Sequence, residues 1–416
     1  MDTLDLSYRL ASSLAGAVAR ACLRGLPEAW ALRLQADAPE LPAGRWVWLH
    51  AVSVGELLLA DGLVGRLLAA GHRVHLSTGT PAGLGLLEQR LPRWDQGRGL
   101  ITGGAFPLDD PAGLEPFLLN PPGAFVALET ELWPGLLQAL GDRSIPCAVV
   151  NGRLTARSLA RGGPWLRRAA SRLALVAARD EASAEAFRGL GAPQVALGGN
   201  LKADLPAPAP LHPGWADLRA AWAGHPVVVA GNTLAGEEDR VLAAWSAARA
   251  QQPGLRLILA PRQPARFEAV AARLASAGRP WRRASAPWPE AAAWESVDIL
   301  LLDTLGELAA AYAEGTVALV GGGWDGAGGH NPLEPVQAGV PTLLGPGHAN
   351  FGDLVPPLLA AALIEVVAAE VLIGRLGEVL AAAPLRPSGA APLPPALRGA
   401  LDRTWGLLAP LLPRTG

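Results

Sequence analysis

The chain has 416 residues, of which half are hydrophobic and 17% charged, and its formal net charge is −2. That length exceeds one ordinary core, so two domains are expected, and the near-neutral balance excludes a general nucleic-acid binder, which carries a basic excess. Two cysteines, Cys22 and Cys147, exclude a disulfide framework and fit a reducing compartment.

Residues 1–40 read as an N-terminal helical segment. No run of about 18 apolar residues occurs, so no membrane-spanning helix is expected. Asp2 and Asp5 stand where a signal peptide would carry positive charge. The uncharged stretch 10–19 is flanked or followed by Arg9, Arg20, Arg24 and Arg33. It fits either an amphipathic helix lying on an anionic membrane surface or a helix packed on its own domain, and both readings stay open.

Residues 41–205 form the expected first domain. Short apolar runs at 45–50, 74–77, 124–128, 148–151, 173–177 and 195–197 read as strands, with helical patterns such as 57–70 and 133–140 between them. The proline-rich LPAPAPLHP at 205–213 marks a linker, taken as 206–225. In the second domain, 226–390, strands are expected at 227–231, 255–260, 299–303, 317–321 and 342–344, and helices at 241–250, 265–277 and 305–312. Residues 391–416 hold a terminal helix expected to pack back on the first domain. Alternating strands and helices predict an α/β chain of two doubly wound, parallel-sheet domains. In such a chain an interdomain cleft lies outside the carboxyl ends of the strands, where ligands bind.

Residues just after the strands are therefore the candidate site. Glu56, in SVGE at 53–56, falls in a first helical turn, where an anionic carboxylate is favoured and is available as a base; helix-end charge matching alone is the plainer reading. Glu129 and Glu131, in ETELWP at 129–134, give one carboxylate for a sugar hydroxyl and one for capping, or two for the helix start. Lys202, in GNLKAD at 199–204, is the single lysine among 35 basic residues. A lone lysine in an arginine background marks a place for a compact ammonium, although chance gives the same count. Its position at the end of the first domain suits a reach towards a ligand held by the second. Arg262, after Pro261, adds a cation able to fork onto phosphate.

Residues 317–346 read VALVGGGWDGAGGHNPLEPVQAGVPTLLGP. A strand runs into a glycine loop whose N–H groups can meet an anion. Asn331 suits an N-cap, Pro332 the first helical position, and Glu334 a capping-box carboxylate reaching back. An ordinary βα turn has the same grammar. His50, His330 and His348 are isolated, and His72 and His75 lack further ligands nearby, so neither a metal nor another cofactor is expected.

With NGRLTARS at 151–158, GEE at 236–238, GEL at 306–308 and GGHNPLEP at 328–335, the stretch from Trp46 to Phe351 resembles the 3-deoxy-D-manno-octulosonic acid (Kdo) transferases of lipopolysaccharide assembly. The resemblance implies the two-Rossmann-domain GT-B fold, CMP-Kdo as donor and a lipid A precursor as acceptor at the cytoplasmic face of the inner membrane. It implies Glu56 as general base and Glu129 and Lys202 as stabilisers of the transition state. It places CMP on Pro261, Arg262, Gly306, Glu307, Leu308, Asn331, Pro332, Leu333 and Glu334. The reaction implied is inverting and metal-independent. The chain departs from the family at Asn232 and Leu234 (Ser-Thr-His is usual at 232–234), at Gln263 (histidine) and at Gly323 (serine), and its N-terminal segment is less apolar. Two other readings remain: a GT-B transferase or epimerase using another sugar nucleotide and acceptor, and a non-catalytic two-lobed sugar or nucleotide receptor.

Overall fold

In the computed structural model the chain splits into two compact units, Met1–Leu205 with Gly399–Gly416, and Pro206–Arg398. The structure describes residues 3–22, 25–154, 156–205, 212–387, 389 and 391–415. Arg24, Thr155 of the NGRLTARS motif and most of the proline-rich linker lie outside them.

The first unit holds a parallel sheet of β1 (Trp46–His50), β2 (Arg73–Thr78), β3 (Ile101–Ala105), β4 (Ala124–Leu128), β5 (Cys147–Gly152), β6 (Leu175–Ala178) and β7 (Val195–Leu197), in the order β3-β2-β1-β4-β5-β6-β7. Side chains alternate between its faces. Trp46, Trp48, Phe125 and Ala127 enter one core, and Val47, Leu49, Val126 and Leu128 the other. Both faces are dry, which is why these strands show as continuous apolar runs.

The second unit repeats the plan with β8 (Val227–Thr233), β9 (Arg256–Pro261), β10 (Trp281–Arg283), β11 (Ile299–Leu301), β12 (Val317–Val320), β13 (Thr342–Leu344) and β14 (Ile364–Val366), in the order β10-β11-β9-β8-β12-β13-β14. Val228 and Ala230 face one core, Val227 and Val229 the other. In each sheet the winding direction reverses once, between β1 and β4 and between β8 and β12. Doubly wound folds bind their ligands at such reversals.

Three strands are absent from the sequence expectation. β3 reads ITGGA, whose two glycines break any apolar run. β10 (WRR) and β14 (IEV) are three-residue edge strands, and charged residues suit exposed edges. The helix expected over 305–312 begins only at Leu308, because Gly306 takes φ +85°, which no right-handed helix accepts.

The N-terminal helix α1 (Thr3–Ala21) is fastened to its own unit by polar latches. Asp5 is buried and paired with Arg168 and Arg172, Tyr8 donates to Asp109 at 2.7 Å, and Arg20 forks onto Asp110 at 2.8 and 2.9 Å. The short helix α2 (Glu28–Leu34) comes next. At the other end of the chain the helix Ala400–Leu408 packs Ala400, Leu401, Trp405 and Leu408 into the first unit's core. Among the described residues no helix is long and apolar enough to cross a membrane.

Candidate active site

In the first unit, β1 and β4 are parallel neighbours, so the loops leaving their carboxyl ends emerge at one end of the sheet. After β1 the chain caps helix α3 (Val54–Ala69) with Ser53. Glu56 N–H donates to Ser53 Oγ at 3.4 Å, Ser53 Oγ donates to Glu56 Oε1 at 3.2 Å, and Val52 N–H donates to Oε2 at 2.7 Å. The capping role is real, and it fixes the carboxylate.

The expectation that the helix end keeps Glu56 ionised is corrected. Burial, with the charges of Glu131 and Glu129 adding to it, pushes its pKa up to about 8, against the pull of Val52 N–H and Ser53. Desolvation and two like charges outweigh the helix terminus, whose benefit is at most a few kcal/mol and fades beyond the first turn. The result is a stronger base than an exposed glutamate.

After β4, Glu129 takes φ +57°, and this left-handed turn redirects the chain. Neither Glu129 nor Glu131 caps the next helix, Pro134–Gly141. Its free N–H groups, Gly135 and Leu136, donate to Asp109 at 2.9 and 2.7 Å, so the capping role read for these carboxylates belongs to a residue far off in sequence. Glu129 Oε1 instead lies 3.9 Å from Lys202 Nζ. Lys202 thus finds its partner inside its own unit. It sits on a 3-10 turn, Leu201–Asp204, whose N–H groups donate to Asn151 (Leu201, 2.9 Å) and Asn200 (Lys202, 3.0 Å). Asp204 accepts from Gly399 and Leu401 of the C-terminal segment. Asn151, buried at φ +51°, is therefore an anchor for Lys202, a role its place in a motif did not reveal.

Glu131 lies 4.0 Å from His50 Nε2. Burial lifts its pKa to about 7, opposed by the Trp133 side chain and by Arg33 of α2 and helped by Glu129. Arg33 is held by Pro107 O at 2.8 Å and stacks over Trp133 at 4.3 Å.

In the second unit the implied nucleotide residues gather at the carboxyl edge of the sheet. Pro261 ends β9, and Arg262 is exposed, its N–H donating to Thr233 O at 3.0 Å. Glu307 is buried and accepts from Trp215 Nε1 at 2.6 Å. Leu308 opens a helix, Leu308–Ala313, that packs on Leu333–Gln337. Asn331 Oδ1 accepts from Leu333 N–H at 3.1 Å, and the Asn331 amide donates to Glu334 Oε1 at 3.4 Å. The expected capping box is thus corrected. Pro332 precedes the helix instead of opening it, and Glu334 accepts from the Asn331 side-chain amide.

The glycine loop needs a second correction. The N–H groups of Gly322 and Trp324 are not waiting for a ligand. The fully buried Glu237 carboxylate accepts from Gly322 at 2.7 and 2.9 Å, from Trp324 at 3.1 Å and from Leu234 at 2.9 Å. Glu237 therefore shapes this loop from within. Two of the family departures also have local reasons. A Cβ on Gly323 would sit 2.9–3.0 Å from the backbone of Gly345, leaving no room for serine, and Asn232 takes φ +56°, which asparagine tolerates better than most residues.

The chain is similar to known proteins in sequence and in fold. The family described as 3-deoxy-D-manno-octulosonic-acid transferase (kdotransferase) matches residues 28–205. A 3-deoxy-D-manno-octulosonic acid transferase of Bordetella pertussis is 36% identical over 346 residues, covering 79% of this chain and 77% of that one. The chain belongs to the Kdo transferase family. A second member, from Haemophilus influenzae, is 33% identical and covers 75% of this chain and 73% of its own length. Among solved structures, a putative UDP-N-acetylglucosamine 2-epimerase from Listeria monocytogenes superposes with TM-score 0.52 at 13% identity, over 88% of this chain and 95% of that one. That likeness concerns the fold alone, two parallel α/β sheets of the GT-B type. Among the described residues of this Kdo transferase family member, no group of three or more His, Cys, Asp or Glu side chains is placed to hold a metal ion.

Proposed function

We propose that the protein transfers Kdo from CMP-Kdo to a lipid A precursor, with inversion at the anomeric carbon. The acceptor hydroxyl attacks that carbon, CMP departs with the bonding electron pair, and the hydroxyl proton passes to Glu56. The observation that carries this reading is Glu56 itself, fixed by two hydrogen bonds and raised in proton affinity at the winding reversal of the first sheet. Glu129 and Lys202 stabilise charge in the transition state. Arg262, Glu307 and Glu334, with Pro261, Gly306, Leu308, Asn331, Pro332 and Leu333, hold CMP in the second unit. The named relatives from Bordetella and Haemophilus, both called 3-deoxy-D-manno-octulosonic acid transferases, support Kdo as the transferred sugar.

Nucleotide choice is tested by thermal melting. A nucleotide that binds only the folded chain stabilises it by mass action, so CMP raises Tm more than UDP or GDP at equal concentration. A larger shift with UDP favours a transferase or epimerase of another sugar nucleotide.

The acceptor's lipid character and the contact with the inner membrane surface are supported by the outer face of α1. Leu6, Leu10, Leu14 and Val18 recur every fourth residue and are 44%, 64%, 69% and 54% exposed, forming a stripe opposite the latched face. Trp30 and Trp165 are also partly exposed. An apolar stripe with aromatic neighbours and Arg9 on the same helix suits an anionic interface. Each leucine immersed in lipid contributes about 1.5–3 kcal/mol, so Leu10→Glu with Leu14→Glu lowers co-sedimentation with anionic phospholipid vesicles at least tenfold. Unchanged sedimentation removes this contact.

A further inference from the structure

Asp109, on the loop that leaves β3, is a buried carboxylate with three donors on its two oxygens. Tyr8 of α1 donates its hydroxyl to Oδ2 at 2.7 Å, Gly135 N–H donates to the same oxygen at 2.9 Å, and Leu136 N–H donates to Oδ1 at 2.7 Å. One side chain thus joins the N-terminal helix to the first turn of the helix Pro134–Gly141. The neighbouring Asp110 makes a contrasting tie. It takes the Arg20 fork at 2.8 and 2.9 Å and caps the helix Pro111–Leu119 through Gly113 N–H at 3.1 Å. That helix carries none of the candidate residues.

The loop 129–133 links β4 to the helix Pro134–Gly141 and bears Glu129 and Glu131. At its upstream end Glu129 N–H donates to Val150 O of the neighbouring strand at 3.0 Å. At its downstream end no strand is present, and the helix start hangs on Asp109. Trp133, the last loop residue, rests on the same segment. Its ring lies 5.2 Å from that of Phe106 and 4.3 Å from the Arg33 guanidinium, which bonds Pro107 O. Both ends being fixed, the loop holds Glu129 Oε1 at 3.9 Å from Lys202 Nζ. Loosening the downstream end lets that carboxylate drift, and a misplacement of roughly 1 Å costs about 10²-fold in rate.

We infer that Asp109, held in turn by Tyr8 of α1, is a positioning residue for transfer, which seats the loop carrying Glu129 and Glu131 by fixing the start of the helix Pro134–Gly141. This rests on the proposed role of Glu129 in the reaction.

The test is kcat, with KM for CMP-Kdo, of the full chain and three variants on a lipid A precursor, well below each variant's Tm. In Asp109→Asn the amide nitrogen replaces one acceptor, so whichever way it points Gly135 or Leu136 loses its partner. Its kcat falls by about 10²-fold. Tyr8→Phe removes only the hydroxyl and lowers kcat by a smaller factor, about tenfold. In both, KM for CMP-Kdo and the CMP-induced rise in Tm match the parent. Arg20→Gln breaks the other tie of α1; its Tm falls at least as far as that of Tyr8→Phe, while its kcat stays within about twofold of the parent. A parental kcat in Tyr8→Phe and Asp109→Asn overturns the inference. So does an equal loss in Arg20→Gln, because the seating of α1 as a whole would then be responsible. Where Asp109→Asn does not fold, the contrast of Tyr8→Phe with Arg20→Gln decides alone. If Glu129→Gln retains full activity, the proposed role of the loop fails and the inference with it. An impaired Glu129→Gln beside a parental Tyr8→Phe and Asp109→Asn sinks the inference only.

Discussion

Glu56→Gln lowers kcat for transfer by about 10²–10⁴-fold, the usual contribution of a positioned general base. Glutamine keeps a side-chain oxygen for the N–H of Val52, so the start of helix α3 survives and loss of the cap does not explain the result. Donor binding is expected to be untouched, with the CMP-induced rise in Tm equal to that of the parent. A second signature separates lost chemistry from lost structure. The folded pKa of Glu56 lies near about 8, above the usual carboxylate value. Between those two values the native state binds more protons than the unfolded one, so the stability this group contributes is complete at acid pH and drains away as pH rises through about 8. Glutamine never ionises. The variant therefore melts above the parent at pH 9 and close to it at pH 4, an inactive enzyme that is more stable in alkali. Such a trade is common where a site is strained for function. An equal rate, or a Tm lowered at both pH values, removes Glu56 from its role.

Lys202→Ala is the second large effect, a fall of about 10²–10³-fold in kcat, the scale of deleting one preorganised electrostatic contact. The ammonium lies 3.9 Å from Glu129 Oε1 on a turn pinned by Asn151, Asn200 and the C-terminal segment. Lys202→Arg recovers only a small part, because a planar fork replaces a compact charge on that fixed stem. Removal of the cation also leaves the charge of Glu129 uncompensated. The proton affinity of Glu56 rises further, so the loss is greatest at acid pH and eases as pH increases. A uniform loss at all pH values contradicts the coupling of Lys202 to Glu56 through Glu129.

Much of this architecture is legible in the order of residues. β1, β4 and β12 stand out because a sheet covered on both faces leaves near-continuous apolar runs. The candidate residues stand out because they come directly after strands, and strand ends are where doubly wound sheets hold chemistry. Local signals fail where a distant partner decides. Asp109 caps the helix Pro134–Gly141, so the nearby Glu129 and Glu131 are released for other work. Glu237 takes the Gly322 and Trp324 donors of the glycine loop, which a pattern of glycines cannot announce. The proton affinities of Glu56 and Glu131 arise from burial and from neighbouring charges. None of these facts has a local sequence cause. The N-terminal helix is a milder case. The packed reading describes the face latched to the first unit through Asp5, Tyr8 and Arg20, while the opposite face is left apolar.

The most direct measurement is mass spectrometry of a lipid A precursor incubated with CMP-Kdo and either the parent chain or Glu56→Gln. The parent yields acceptor heavier by whole Kdo residues with release of CMP, and the variant leaves the acceptor at its starting mass over the same time. An unmodified acceptor with the folded parent, or equal product from both proteins, contradicts the assignment.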